Sequence, residues 1–373
     1  MMIEKGKISN IQFSMLIIMF IVGTATLIVP AIVTGIAKQD GWLSTLLSLC
    51  LGFVFVMVFA KIAERNPDIT LIQTCEKILG KWLGRLVSLL YTVYFLFLTA
   101  IFLRIAGDLI TTHVLTETPI QATETLFLII MIMAVRLGLE PFSRAAEMLF
   151  PHIVFFILLF FFFLLPQVKG ENMTPVLEHG LEPVLFGTYK IIGIPYLNLV
   201  IFLMLTPFVS TPSKIKKSFF ISILIGGMFI TMITLFSIFV LGADATNRLN
   251  YAPYILAQKI QIGNFIQRIE IVAGAFIFIS LFVKSALTYY CFILSTAQTF
   301  HLKNYKILTL PFGLIVLVLS ISLFPNIIYF HTFVSVAWTI LTLIFGLLLP
   351  LLILIVDLFK SRLANRTDQE AGK

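Results

Sequence analysis

Long apolar stretches separated by short polar gaps recur along all 373 residues, and no other feature constrains the fold as much. A hydrocarbon layer about 30 Å thick is crossed by a helix of about 20 apolar residues, which satisfies every backbone N–H and C=O within one segment. Stretches of roughly that length lie near 11–37, 42–63, 86–106, 125–139, 148–166, 188–209, 219–241, 269–296, 307–324 and 333–358, the fourth being the shortest. They predict an all-α polytopic membrane protein of about ten transmembrane helices. Charged residues are 12% of the chain, half the share of about 25% usual in soluble domains, which excludes a cytosolic enzyme.

The formal net charge of +8 follows the topology instead of gathering into a nucleic-acid footprint. If the spans alternate, Lys5 and Lys7, Lys61 to Arg85, Arg136 and Arg144, Lys214 to Lys217, Lys303 and Lys306, and Lys360 to Lys373 share one face. The opposite face holds Lys38, Arg104, Lys169, Lys190, Arg248, Lys259 and Arg268. Basic loops stay inside, so both termini are expected in the cytoplasm. The apolar part of the opening segment is too long for a signal-peptide core and lacks a small-residue cleavage site, so it reads as a retained first span. Cys50, Cys75 and Cys291 share no C-x-x-C spacing and imply neither a disulfide framework nor a metal site.

Between spans two and three, TLIQTCEKILGKWLGRL predicts an amphipathic cytoplasmic helix. It would set Leu71, Ile78, Leu79, Trp82 and Leu83 on one face and Lys77 and Lys81 near the headgroups. YAPYILAQKIQIGNF predicts a short helix over the outer face, and the closing KSRLANRTDQEAGK reads as a polar, unstructured tail. The expected organisation is one transmembrane domain over 1–360 and a cytoplasmic tail over 361–373.

Most spans are uniformly Leu, Ile, Val and Phe, but span one contains Gly23-Thr24-Ala25-Thr26 and Pro30, and span six contains Gly193-Ile194-Pro195-Tyr196. These are corresponding positions of two five-helix halves, near 10–166 and 183–358. An odd number of spans per half turns the second half upside down, so the pattern fits a five-plus-five inverted repeat with discontinuous helices one and six. Unwound backbone leaves N–H and C=O groups to meet a ligand, which makes such breaks a midplane binding site. A plain kink, filled by neighbouring helices, is the other reading.

Lys284, in IFISLFVKSALTYY, falls inside span eight. An ammonium there is costly without a partner; it serves as counter-charge to a carboxylate ligand, as a stand-in for a coupling cation, or as a titrating group. Snorkelling to the interface or pairing with a backbone carbonyl is the plainer account. Ser285 and Thr288 follow on the same span, although hydroxyls in membrane helices often bond their own backbone. Arg104 and Asp108, at i and i+4 in span three, read as a structural pair, and Arg268 and Glu270 as an interfacial one. Tyr91, Tyr94 and Asn198 are cavity-lining candidates, or else satisfied helix contacts. No HExxH, GxSxG or Walker loop is present and the five His are scattered, so neither catalysis nor a cofactor is expected.

KISNIQ, GTATLIVP, QDGWLS, ILGKWLGRLVSLLY, EPFSRAAEMLFP, the RIE that opens span eight with FVK further along it, and LLLPLLILIVDLFKSR resemble, in order and spacing, the B subunit of spore nutrient germinant receptors. That family belongs to the amino acid, polyamine and organocation transporter superfamily, so the resemblance implies a LeuT-like fold. It further implies a spore inner-membrane protein that binds a small nutrient, an amino acid or a sugar, and triggers germination with an A subunit and a lipoprotein C subunit. A secondary amino acid transporter coupled to protons or cations is the alternative. In amino-acid-sensing relatives the pocket lies between spans one, three, six and eight. Matching the motifs puts Gly23 at the first-span glycine, Tyr94 and Leu98 on the third-span face, and Lys284 at a pocket position with Thr288 one turn on. Span six departs, reading Tyr196-Leu197-Asn198 where some relatives have a Gly-Glu step. The expected ligand-binding set is Gly23, Thr24, Ala25, Tyr94, Leu98, Gly193, Tyr196, Asn198, Lys284 and Thr288.

Overall fold

The computed structural model describes residues 4, 6–249, 251–259, 269–324, 329 and 332–371. Eight helical runs in it are long and apolar enough to cross a membrane. The first of them, Asn10–Arg65, is two spans, Asn10–Ala37 and Gly41–Arg65, joined at Lys38, where a φ of 50° redirects the chain. Lys38 also donates to Asp244 at 2.9 Å, which holds that exposed carboxyl below its ordinary range. Span three is Lys81–His113, span four Ile120–Leu137, span five Leu139–Leu164, span seven Ile215–Leu241, span eight Ile269–Thr299 and span nine Thr309–Leu323. Span ten alternates between two helix types: π-helical turns at Val334–Trp338 and Ile344–Leu348 flank α-helical Thr339–Leu343, and Leu349–Ala371 completes it. A broken sixth span raises the total to ten, as the apolar stretches predict.

Span one occupies the centre. It is apolar all round but includes small side chains, and neighbouring helices bury almost all of it. Span five is as apolar, yet Phe155, Leu158 and Phe162 lie on the outside, where a membrane supplies the solvent. Bulk at these positions, rather than hydropathy, separates the central helix from the peripheral one.

The break expected in span one is absent, because the helix runs uninterrupted from Asn10 to Ala37. Pro30 withholds one N–H from the ladder, and its own carbonyl accepts the Thr34 hydroxyl at 2.8 Å. Gly23 is used for packing instead: a Cβ there would stand 2.9 Å from the Ser280 carbonyl oxygen of span eight. Span six does break where expected. Its α-helical half, Glu182–Ile191, gives way to a turn and then to the 3-10 helix Leu197–Met204. Pro195 has no N–H for the ladder, and the Leu197 N–H reaches back across the turn to the Ile192 carbonyl at 3.3 Å.

Before span three, a capping box of Thr70 and Gln73 starts the helix Leu71–Leu79, whose Leu71, Ile72, Cys75 and Ile78 are buried. The helix is shorter than the amphipathic pattern suggests. Gly80 stops it at a φ of +85°, so Trp82 and Leu83 belong to span three, with Trp82 87% exposed. Two short helices, Ala243–Arg248 and Ala252–Gln258, follow span seven; the rest of the expected surface helix and Arg268 lie outside the described residues. The closing helix extends to Ala371, where an unstructured tail was expected, since no Gly or Pro interrupts 351–371. Beside the start of span one, the Ile8 N–H donates to the Phe208 carbonyl at 2.8 Å and the Ser210 N–H to the Ile8 carbonyl at 2.9 Å. These bonds tie the entry of span one to the exit of span six.

Candidate functional site

Lys284 stands at the midpoint of Ile269–Thr299, about 22 Å of helix from either end at 1.5 Å per residue. Its side chain is fully buried, which excludes snorkelling. Nζ donates to the Thr24 hydroxyl oxygen of span one at 2.5 Å and lies 4.6 Å from the ring centroids of both Phe20 and Phe102. Two ring faces and one hydroxyl offset part of the cost of desolvating an ammonium. Among the described residues no carboxylate pairs with it. Helical spacing builds this cage: Phe20 and Thr24 are one turn apart on span one, and Tyr94, Leu98 and Phe102 follow at four-residue steps on span three.

A second polar contact lies about 12 Å further along span three. There the Tyr94 hydroxyl donates to Asn198 Oδ1 at 2.5 Å, and the Tyr94 ring stacks on Phe345 of span ten with centroids 4.3 Å apart. Asn198 sits just after the break in span six, and its Nδ2 donates to the Ile194 carbonyl at 3.5 Å. The Phe345 carbonyl accepts the Tyr91 hydroxyl at 3.0 Å. Leu98 is buried between the two contacts on span three, and Phe202 of span six meets Phe20 edge-on at 5.3 Å. Spans one, three, six and eight therefore converge on one axis.

Of the sequence-derived set, Thr24 and Lys284 touch, Tyr94 and Asn198 touch, and Gly23 presses against the span carrying Lys284. Ala25 is buried on span one, and Thr288 gives its hydroxyl to the Lys284 carbonyl of its own helix at 2.8 Å. Gly193 and Tyr196 face elsewhere. A Cβ on Gly193 would strike the Thr342 hydroxyl of span ten, while the Tyr196 ring fills the space left by Gly52 of span two and Gly227 of span seven. Sequence reasoning missed Phe20, Phe102 and Phe345. The first two were readable as one-turn steps from Thr24 and from Leu98, whereas Phe345 comes from the far end of the chain with no local mark. The Arg104–Asp108 pair forms as expected at 3.3 Å, and buried Glu124 of span four stands 4.0 Å from Arg104.

A family model described as "Spore germination protein" matches residues 7–328. Spore germination protein KB of Bacillus subtilis (strain 168) is 29% identical over 374 residues, covering 99% of this chain and 100% of its own length. Spore germination protein YndE of the same organism is 28% identical, covering 96% of this chain and 98% of its own. Among solved structures, MhsT in complex with L-phenylalanine superposes with a TM-score of 0.67 at 16% identity, over 95% of this chain and 99% of that one. Mhp1, a nucleobase-cation-symport-1 family transporter, gives 0.60 at 13% identity, over 87% of this chain and 74% of its own. These two likenesses show the fold, the LeuT-like five-plus-five inverted repeat. The matched proteins are germination proteins and transporter-fold proteins, not enzymes. With the family model spanning most of its length, this multi-pass membrane chain belongs to the spore germination protein family.

Proposed function

We propose that this chain is the ligand-sensing subunit of a nutrient germinant receptor in the spore inner membrane, with both termini in the cytoplasm. A small nutrient, an amino acid or a sugar, binds against Lys284, and an A subunit and a lipoprotein C subunit read the change. The observation that carries this reading is the Lys284 ammonium, buried midway along span eight with, among the described residues, a hydroxyl and two rings for partners. Intramembrane charges are kept for a use, and a ligand carboxylate would neutralise this one where the low dielectric makes the attraction strong. A sugar hydroxyl would accept from the same ammonium.

The intact helix of span one bears on mechanism. Its amides at Gly23 and Thr24 are engaged within the helix, so a carboxylate meets them only if the helix opens there. A ligand that prefers the opened form shifts the packing by that difference in affinity. Gly193 and Tyr196, which brace the broken span six against spans two, seven and ten, would carry the shift to the rest of the bundle.

Transport is the second reading, favoured by the fold shared with Mhp1. Lys284 would then replace a coupling cation or carry a proton. The test is equilibrium binding and radiolabelled uptake side by side, in liposomes, with wild type and Lys284→Met, over a panel of amino acids and sugars. Binding without flux, lost in the variant, supports the receptor; saturable flux makes transport the primary activity. Unchanged binding by Lys284→Met removes that residue from the site.

A further inference from the structure

A half-open pocket of about 160 Å3 lies between spans one, five, seven and eight, apart from the Lys284 cage. Phe156, Phe160 and Phe163 of span five, Phe229 of span seven and Phe276 of span eight supply much of its wall. Among the described residues no charged side chain lines it. An enclosed apolar cavity of similar size, about 150 Å3, accepts a benzene-sized guest.

Thr26 and Ser280 are the lining residues that carry a hydroxyl. Thr26 of span one is 2% exposed, and among the described residues its hydroxyl has no hydrogen-bond partner. Thr34, Thr99, Thr231 and Thr234 give theirs to a carbonyl one turn back, as threonine does in membrane helices. A buried hydroxyl without a partner is costly, and a guest carrying one donor or acceptor would relieve it once it displaces the atoms that now cover the oxygen.

We infer that this pocket is a binding site for an uncharged single-ring aromatic molecule bearing one hydrogen-bonding group. The volume fits one ring, and the phenyl walls favour edge and offset-face contacts. A charged guest would be desolvated without a counter-charge. The Thr26 hydroxyl can both donate and accept, so a ring hydroxyl or N–H suits it. The inference is independent of where the nutrient binds.

The test is a 19F NMR titration of the purified chain in detergent with fluorobenzene, para-fluorophenol and para-fluorobenzoate. Wild type is expected to bind the first two saturably and the benzoate not at all. Thr26→Val should weaken para-fluorophenol by about tenfold and leave fluorobenzene unchanged. Ile277→Trp, which fills the pocket, should abolish binding of both without lowering the thermal midpoint; if it fails to fold, Thr26→Val decides. Unsaturable partitioning that is the same in all variants overturns the proposal, as does saturable binding of the benzoate. Binding present in detergent but lost in lipid nanodiscs identifies an acyl chain as the occupant and overturns it too.

Discussion

Gly23 of span one lies so close to Ser280 of span eight that a Cβ on it would stand 2.9 Å from the Ser280 carbonyl oxygen. The obstructing atom is main chain and cannot rotate away. Gly23→Ala is therefore expected to cost about 1–3 kcal/mol from overpacking, outweighing the 0.5–1 kcal/mol or so that Ala adds inside a helix. A lowered unfolding midpoint in detergent checks this; an unchanged or raised midpoint refutes the contact.

Tyr94→Phe keeps the ring on Phe345 but removes the donor that Asn198 Oδ1 accepts. Leaving that buried oxygen unmet should cost about 1–3 kcal/mol. Combined with Asn198→Leu, the losses should fall short of their sum by about 0.5–3 kcal/mol, measured as a double-mutant cycle. Full additivity would mean that the two side chains do not interact.

Arg104 stands between Asp108 at 3.3 Å and the buried Glu124 at 4.0 Å. Arg104→Met takes the guanidinium away from both carboxylates and is expected to destabilise by about 3–5 kcal/mol. Glu124→Gln should cost less, because a side-chain amide still accepts the Ser320 hydroxyl that Glu124 now holds at 2.6 Å. The double variant should recover part of the Arg104→Met loss; none recovered would place Arg104 outside a charge network.

Ile8→Pro removes the N–H that the Phe208 carbonyl accepts and so loosens the seam between spans one and six. Cys291 of span eight, fully buried with its Sγ 3.9 Å from the Ile201 carbonyl of span six, reports on any loosening of span six that follows. Maleimide labelling of Cys291 should quicken several-fold, with a Cys291→Ser background subtracting Cys50 and Cys75. Equal rates in the two proteins would show that the seam does not control access.

The ten spans were legible because an unsatisfied backbone cannot stand in hydrocarbon, so length and apolarity alone mark a helix. The break in span six was legible for a local reason: Gly193 and Pro195 weaken the same turn. Span one misled because its glycine and proline lie seven residues apart, and each defect is absorbed separately, Gly23 by packing and Pro30 by a single missing N–H. Lys284 announced itself by its charge. Phe345, and the packing of Gly193 against span ten and of Tyr196 against spans two and seven, depend on contacts between distant spans that no local pattern encodes. Gly80 was the overlooked mark that cuts the amphipathic helix short of Trp82.

The π-helical turns of span ten give that helix a property its straight neighbours lack. Each closes its hydrogen bonds over one residue more than an α-helical turn, a wrinkle that would move only by exchanging hydrogen bonds one at a time. Residues passed over by the wrinkle rotate by about 100°, the angle one residue subtends, while the ends of the helix stay in place. The Tyr91 hydroxyl pins the wrinkle at Phe345. Were that pin released and the wrinkle shifted, span ten would turn a different face to Tyr94, so the Tyr91–Phe345 contact sets the dial at one reading.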